Sequence, residues 1–205
     1  MSAAARTSTP RRGRPRSEKA RTAILDAACQ LLLAHGLDAV SMDAIAERAG
    51  VSKATIYRWW PTKQTLALDA LYHEWETTRP SLRDTGSLRG DLLGLLRPWA
   101  RLIRSRPYAR VIAALIAEAR TDPAFADEYL ARLVTPRRDH AHTIFTRAIE
   151  RNEIERDIDI DVALDLLYGP LYLRLLQGHA PLNDRFVQQV IDMALRGLLP
   201  QRSTQ

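Results

Sequence analysis

Residues 41–60, SMDAIAERAGVSKATIYRWW, restrict the fold of this 205-residue chain more than any other segment. They have the pattern of a short helix, a turn that contains Gly50 and a second short helix, which together form a helix-turn-helix. Two short helices that cross steeply must approach closely, so small residues are favoured where they meet. Ala46, Ala49 and Gly50 supply these small residues, and Ile56 is one of the apolar residues that hold the crossing.

The second helix of this segment concentrates hydrogen-bonding side chains near its start. Five of them fall within seven positions: Ser52, Lys53, Thr55, Tyr57 and Arg58. A helix-turn-helix inserts its second helix into a major groove, where the N-terminal residues reach the base edges. A surface helix with ordinary polar residues is the alternative. The basic residues that precede this segment favour contact with nucleic acid.

Two helix starts in this region are candidate phosphate sites. Ser41 precedes the first helix of the pair, and Thr62 precedes a long helix that follows Pro61. Each start presents free N–H groups and the positive end of a helix dipole, which suits a phosphate. Lys63 adds a formal positive charge beside Thr62. Simple capping of the two helices is the alternative interpretation.

The positive charge of the chain lies mostly at its N-terminal end. Residues 1–60 contain 10 Lys or Arg and 5 Asp or Glu, which leaves them +5 of the total net charge of +6. Residues 1–16 contain five arginines and no acidic residue, and we expect a disordered basic arm there. Arg14 and Arg16, next to Gly13 and Pro15, would fit a narrow minor groove as part of an extended strand. A solubilising tail is the alternative.

The rest of the chain predicts an all-α protein, because apolar residues recur at helical spacing and few segments alternate as strands do. We expect an N-terminal helix-turn-helix DNA-binding domain of three helices over 17–62 and a C-terminal helical ligand-binding and dimerisation domain over 63–205. The predicted helices span 17–35, 42–49, 53 to 59 or 60, 63–78, 88–105, 107–120, 123–151, 161–178 and 183–199, with Pro136 expected to start or kink a turn.

The last two predicted helices are apolar over wide arcs, which leaves apolar surface for a partner. We expect them to form a four-helix dimer interface, because two recognition helices are needed to span successive half-sites. A helix pair that is fully buried in a monomer is the alternative. The expected interface residues are Leu164, Leu167, Leu171, Leu175, Val187, Val190, Ala194 and Leu198.

A ligand pocket would lie between the fifth to eighth predicted helices, lined by apolar residues and a few polar ones. Each candidate could equally be an ordinary core residue. The candidates are Trp99, Ile103, Tyr108, Ile112, Ile116, Phe145, Tyr168 and Tyr172.

Several classes of protein are disfavoured by the sequence. The single cysteine, Cys29, excludes an internal disulfide framework, and no apolar run approaches the length that spans a membrane. The sequence has no Gly-rich phosphate loop, HExxH or GxSxG motif, so we expect no catalytic site, no cofactor and no metal. A soluble, cytoplasmic protein is expected.

The segment RTAILDAACQLLLAHGLDAVSMDAIAERAGVSKATIYRWWPTKQTLALDAL resembles the DNA-binding domain of TetR/AcrR-type transcriptional regulators. The ending DIDIDVALDLLYGPLYLRLLQGHAPLNDRFVQQVIDMALRGLLP is similar to one C-terminal subclass of this family. The resemblance implies an all-helical homodimer, a double-stranded DNA operator and a small-molecule effector. The family's DNA contacts correspond to Ser41, Ser52, Lys53, Thr55, Tyr57, Arg58 and Lys63. The pair Trp59-Trp60 departs mildly from the commoner His-Phe or Tyr-Phe.

The sequence therefore predicts a ligand-responsive transcriptional regulator, a repressor that a small-molecule effector releases from a palindromic operator. A constitutive dimeric DNA-binding protein with no ligand response would have a collapsed C-terminal core without a pocket. A helical enzyme or small-molecule-binding protein with an incidental helix-turn-helix would bind DNA without sequence preference. An activator of transcription is the alternative to a repressor.

Overall fold

A computed structural model describes residues 14–78 and 83–198, and the described residues are helices joined by turns, with no strand among them. The side chains of 14–17, Arg106 and Leu198 lie outside this description. The helices are α1 (Arg14–His35), α2 (Met42–Ala49), α3 (Lys53–Tyr57), α4 (Lys63–Thr78), α5 (Leu88–Ile103), α6 (Arg106–Thr121), α7 (Pro123–Tyr129), a π-helical turn (Leu130–Val134), α8 (Thr135–Glu150), α9 (Ile160–Gln177) and α10 (Asp184–Leu198). The all-α prediction is confirmed.

The first predicted helix begins earlier than its sequence suggests. α1 starts at Arg14 rather than at Ser17, so the backbone of Ser17 lies inside the helix. Pro15 is compatible with this start, because the first turn of a helix needs no N–H from that position. Arg14 and Arg16 therefore lie in a helical turn and not in an extended arm. Residues 1–13 of the expected disordered arm lie outside the described residues.

The long helix predicted over 123–151 is interrupted by the π-helical turn. The N–H of Thr135 bonds to the carbonyl of Leu130, five residues back, and Pro136 follows in the first turn of α8. A proline ring clashes with the carbonyl four residues before it, and the wider turn relieves this clash. The segment is therefore irregular near Pro136, as the sequence predicts, but the π-helical turn precedes the proline.

The helices share one hydrophobic core. α1 packs against α2, α4 and α6, and α5 packs against α8 and α10. α4 also contacts α5, α7 and the π-helical turn, so it lies between the helix-turn-helix and the C-terminal helices. Among the described residues, no helix is long and apolar enough to cross a membrane.

Candidate functional site

Helices α2 and α3 form a helix-turn-helix whose turn is fixed by local hydrogen bonds. Gly50 adopts φ 66° and ψ 33°, the left-handed conformation that ends many helices. The N–H of Val51 reaches back to the carbonyl of Ala46 at 3.0 Å, which closes the last turn of α2. Ile45 and Ile56 are buried at the crossing of the two helices. The small residues and the glycine act as their positions predict.

The starts of both helices are capped by the two predicted serines. Ser41 Oγ accepts a hydrogen bond of 3.2 Å from the N–H of Ala44. Ser52 Oγ accepts one of 3.2 Å from the N–H of Thr55 and also contacts Thr55 Oγ1 at 2.8 Å. Each cap satisfies one backbone donor and leaves the others at that helix start available.

The outer face of α3 is polar and accessible. Ser52, Lys53, Tyr57 and Arg58 are exposed, and Thr55 is partly buried beside its cap. α3 ends at Tyr57, before the predicted end at Trp59 or Trp60, and Tyr57 leaves 46% of its surface accessible. The guanidinium of Arg58 lies over the Trp59 ring, 5.3 Å from the centroid. The helix therefore presents hydrogen-bonding groups to an external partner.

Lys53 is already engaged within the chain. Its Nζ lies 2.8 Å from Oδ2 of Asp43 on α2, and both side chains are largely exposed. The hydrogen bond to Asp43 raises the pKa of Lys53 above its ordinary value. Lys53 therefore stays charged at neutral pH and must exchange this carboxylate for any phosphate or base it contacts.

The start of α4 lies close to the helix-turn-helix. Thr62 Oγ1 accepts a hydrogen bond of 3.1 Å from the N–H of Thr65, which caps α4 as the sequence predicts. Lys63 is partly buried, and its Nζ donates to the carbonyl oxygen of Asp38 at 3.4 Å. Lys63 is thus held at the connection between α1 and α2.

A cavity of about 220 Å³ lies in the C-terminal part of the chain, between α5, α8 and α9. Three of the eight predicted ligand residues line it, namely Trp99, Tyr168 and Tyr172. The ring of Trp99 lies edge-on to Tyr168 with centroids 5.1 Å apart, and its centroid is 5.4 Å from that of Tyr172. The other lining residues are Val134, Arg137, Arg138, Asp165 and Gly169.

The remaining five predicted ligand residues do not line this cavity. Tyr108, Ile112 and Phe145 are buried in the core, and Ile116 packs against that core. Ile103 is also buried and borders a separate open groove near the end of α9. Contact of these five residues with a ligand stays a prediction, because periodicity marks apolar positions without separating those in the core from those beside a void.

Arg137 is the cavity residue with the most unusual surroundings. Its relative accessibility is 5%, and its Nη2 donates a hydrogen bond of 3.1 Å to the hydroxyl of Tyr108. Among the residues that the structure describes, neither its Nε nor Nε1 of Trp99 has a hydrogen-bond partner. Burial raises the pKa of Tyr108, so its phenol is neutral at neutral pH and does not compensate the guanidinium. The cavity lining therefore includes a buried cation, and two N–H donors that belong to lining side chains are unused.

Most of the predicted dimer residues face the interior of the chain. Leu164, Leu167, Leu171, Val187 and Val190 are buried within the single chain, and their contact with a partner stays a prediction. Leu175 and Ala194 are partly buried, and the side chain of Leu198 lies outside the described part of the chain.

A different apolar stripe faces outward. On α9, Val162, Leu166, Leu173 and Leu176 are exposed at spacings of three, four and seven residues, and on α10 Met193 leaves 72% of its surface accessible. Both sides of α9 are apolar, so the sequence indicates two apolar faces without telling which one packs inward. The predicted set described the inner face.

Comparison with known proteins agrees with the helix-turn-helix geometry. The family described as "Bacterial regulatory proteins, tetR family" matches residues 24–75. The family described as "Tetracyclin repressor-like, C-terminal domain" matches residues 82–194. The HTH-type transcriptional regulator YdeS of Bacillus subtilis is 40% identical over 195 residues, which is 95% of this chain and 98% of YdeS. The chain belongs to the TetR family.

Two further relatives extend the likeness of this TetR-family chain. The crystal structure of the TetR family transcription regulator SCO0332 superposes with a TM-score of 0.78 at 37% identity, covering 89% of this chain and all of that one (100%). The DNA-binding transcriptional repressor TetR of Mycobacteroides abscessus is 33% identical over 187 residues, 90% of this chain and 96% of the relative. The protein is thus a DNA-binding transcriptional regulator, and its family consists of regulators rather than enzymes.

Two functional candidates in this TetR-family protein were missed by the sequence analysis. Arg137 was missed because an arginine beside another charged residue, Arg138, indicates a solvent-exposed face. Asp69 was missed because acidic residues on a long helix are ordinary. Asp69 accepts hydrogen bonds from Trp60 and from Arg132 of the π-helical turn, so one carboxylate joins the two parts of the chain. Only the Pro136 kink hinted at an irregular turn near this contact.

Proposed function

We propose that this TetR-family protein is a homodimeric repressor that leaves a palindromic operator when a small molecule enters the cavity of the C-terminal part. The observation that carries the proposal is the pairing of an exposed polar α3 with a cavity that contains unused hydrogen-bond donors. The name of the M. abscessus relative, a DNA-binding transcriptional repressor, supports repression rather than activation.

The DNA side of the proposal assigns roles to the exposed face of the helix-turn-helix. Ser52, Lys53, Tyr57 and Arg58 would reach the major groove, since the N-terminal part of a recognition helix contacts base edges. Ser41, Thr62 and Lys63 would hold phosphates beside it, because helix starts present free N–H groups to anions. Thr55 completes the predicted set of contacts, and Arg14 and Arg16 would approach the DNA from the first turn of α1.

The cavity favours a ligand response over a constitutive DNA-binding protein. A chain whose C-terminal part only dimerised would gain stability by filling the space beside Trp99, since packed interiors have few voids larger than water. It would also have no reason to retain an unpaired donor at Arg137, because a buried polar group without a partner destabilises the fold. A binding site explains both features.

A direct chain of contacts connects the cavity to the helix-turn-helix. Val134 and Arg137 line the cavity, and Arg132 lies within two turns of both in the π-helical turn. Arg132 Nη1 lies 3.2 Å from both carboxylate oxygens of Asp69, which also accepts from the indole of Trp60 at 2.8 Å. A shift of the π-helical turn on ligand binding would therefore pull on the residue that follows the recognition helix.

The exposed apolar stripe of α9 and Met193 of α10 is the proposed dimer surface. Exposed apolar residues that line up along a helix commonly mark an interaction surface. A second copy of the chain fits this surface because a palindromic site requires two recognition helices related by a two-fold axis. The coupling of ligand to DNA would then be a difference in spacing between the two α3 helices, typically worth about 1–3 kcal/mol.

The experiment that tests the proposal is selection of bound DNA from a random pool with the full-length protein at near-physiological salt. An enriched palindrome supports the dimeric operator reader, and its half-site separation reports the distance between recognition helices. Binding that shows no enriched sequence and disappears as salt rises would be electrostatic attachment alone. That outcome would overturn the operator part of the proposal.

A further inference from the structure

We infer that the effector is a small organic acid whose carboxylate binds Arg137 and whose apolar body lies against Trp99 and the tyrosines of the cavity. This inference rests on the proposed ligand response and specifies the chemistry of the ligand. It comes from the electrostatics of the cavity and from its size.

The first step is the uncompensated charge of Arg137. Buried charges in proteins are normally paired, because removing an ion from water without a counter-ion is costly. Within the described part of the chain, Arg137 forms no ion pair with a carboxylate, and its protein hydrogen bond goes to the neutral phenol of Tyr108. The guanidinium carbon of Arg137 also lies over the ring of Trp75, 5.6 Å from its centroid, in a cation–π contact. A counter-ion supplied by a ligand would complete this site.

The neighbouring arginine shows what a satisfied cation looks like in the same place. Arg138 also lines the cavity, but it lies 2.7 Å from Oδ1 of Asp161 and 2.7 Å from Oδ1 of Asp165. Its charge is therefore already neutralised at the cavity rim. Of the two adjacent arginines, the buried one lacks an acid and the accessible one has two.

The unused groups of the cavity lining are hydrogen-bond donors. Nε of Arg137 and Nε1 of Trp99 are both buried without a partner, and both can only donate. A ligand that satisfies them must bring acceptors. A carboxylate has two acceptor oxygens and no donor, and it pairs with a guanidinium through charge-assisted hydrogen bonds. An amine or an alcohol of the same size would satisfy the site less completely.

The third step is the size and the lining of the cavity. Its volume of about 220 Å³ lies below the range of roughly 300–1,000 Å³ that drug-sized ligands occupy. Its walls beside the donors are Trp99, Tyr168, Tyr172 and Val134, which suit an aromatic ring or a short aliphatic chain. A monocarboxylic acid with a compact apolar body matches both the volume and the walls.

The test measures binding of three acids and their neutral amides to the full-length protein without DNA, by calorimetry at neutral pH. The pairs are benzoate with benzamide, phenylacetate with phenylacetamide, and hexanoate with hexanamide. At least one acid is expected to bind about ten-fold or more tighter than its amide. If no acid in the three pairs binds better than its amide, the inference is overturned.

Three variants locate the preference. Arg137→Gln is expected to reduce the acid-to-amide ratio to about one. The matched control Arg138→Gln should keep that ratio, because Arg138 already has its carboxylates. Trp99→Phe keeps an aromatic ring and removes the indole N–H, so it should lower acid affinity by a few-fold. It tests the site even if Arg137→Gln fails to fold. An acid-to-amide ratio that stays unchanged in Arg137→Gln would contradict the inference. So would an acid affinity that stays unchanged in Trp99→Phe.

Two further measurements distinguish an organic-acid site from a site for small anions, and binding of the acid from release of DNA. Chloride and acetate are titrated in competition with the best acid, and displacement at equal concentration would identify a site for small anions in place of an organic acid. DNA affinity is then measured with and without the acid. An acid that binds through Arg137 without weakening DNA binding would refute the proposed release but leave the site. Release of DNA by neutral compounds alone would refute the acid site at Arg137 but leave the proposed release.

Discussion

The indole Nε1 of Trp60 donates a hydrogen bond of 2.8 Å to Oδ2 of Asp69, and the same carboxylate receives Nη1 of Arg132 at 3.2 Å. Trp60 follows the recognition helix, Asp69 lies on α4, and Arg132 lies in the π-helical turn next to the cavity. Trp60 is buried, so its N–H has no access to water as a substitute acceptor. This carboxylate therefore connects the segment after α3 to the π-helical turn, and it is also the proposed route of coupling.

Asp69→Ala is expected to lower the free energy of unfolding by about 2–3 kcal/mol, because it leaves the buried indole N–H without an acceptor and removes a charged partner from Arg132. Asp69→Asn keeps an acceptor oxygen and should lose less. Urea denaturation measures both. The matched control is Asp26→Ala, which removes an exposed carboxylate that pairs with His73 at 3.2 Å and should cost under about 1 kcal/mol. Equal losses from Asp69→Ala and Asp26→Ala would contradict the role given to Asp69.

Arg132→Gln tests whether the contact transmits the ligand signal. The variant keeps the cavity lining, so the best acid from the three matched pairs should bind with unchanged affinity. Its effect on DNA affinity should shrink, because the π-helical turn no longer holds Asp69. Fluorescence anisotropy with the selected operator, with and without the acid, measures the ratio. A ratio equal to that of the unaltered protein would exclude this route of coupling.

Because Lys53 and Asp43 form an ion pair, substitutions of the two residues are expected to change operator affinity in opposite directions. Asp43→Asn frees Lys53 and is expected to tighten operator binding by about two- to five-fold, because an exposed ion pair is weak and is easily replaced. Lys53→Met should weaken operator binding by about ten-fold or more through the lost contact. Glu47→Gln, which removes another exposed acid of α2, is the control for net charge. Equal tightening by Asp43→Asn and Glu47→Gln would show that only overall charge matters.

The exposed stripe of α9 predicts which substitution separates a dimer. Leu166→Asp places a charge in the middle of this stripe, where 54% of the leucine surface is accessible in the single chain. We expect the dissociation constant of the dimer to rise by about a hundred-fold or more, because a carboxylate would be buried without a partner. Light scattering after size exclusion measures the mass. The control, Leu130→Asp, alters a leucine that is 50% accessible in the π-helical turn and should leave the mass unchanged.

The sequence predicted the local features of this fold better than the faces of its helices. The caps at Ser41 and Thr62 and the turn at Gly50 depend on neighbours within a few residues, so residue type alone identifies them. The inward face of α9 depends on helices far along the chain. Because α9 is apolar on both sides, only the packed structure shows that Leu166 faces outward while Leu167 is buried.

Arg137 illustrates a different limit of sequence analysis. Its burial depends on the packing of α8 against α5 and α9, which lie far from it along the chain. The aromatic walls at Trp99, Tyr168 and Tyr172 were predicted because large aromatic residues are recognisable in sequence. The charged group among them required the structure.

Acid should destabilise the fold partly through Asp91, in the first turn of α5. Its side chain is 1% accessible and lies 3.1 Å from Nη2 of Arg151, with hydrogen bonds of 2.8 and 2.6 Å from the N–H and hydroxyl of Thr85. Burial by itself raises the pKa of Asp91, but the hydrogen bonds from Thr85 and Arg151 outweigh it, and the pKa lies below its ordinary value of 3.8. The ionised form is thus the one that the fold stabilises.

A carboxyl group whose pKa is lowered by folding contributes stability that is complete above the unfolded pKa and is lost as the pH falls through the folded one. Asp91→Asn is therefore expected to cost about 2–3 kcal/mol at pH 7, with a smaller cost once the pH falls below about 4. Urea denaturation at a series of pH values measures the difference. Asp84→Asn removes the exposed partner of Arg151, 2.8 Å away, and should cost less than about 1 kcal/mol at every pH. A cost for Asp91→Asn that does not change between pH 7 and pH 3 would show that its hydrogen-bonding shape, and not its charge, stabilises the start of α5.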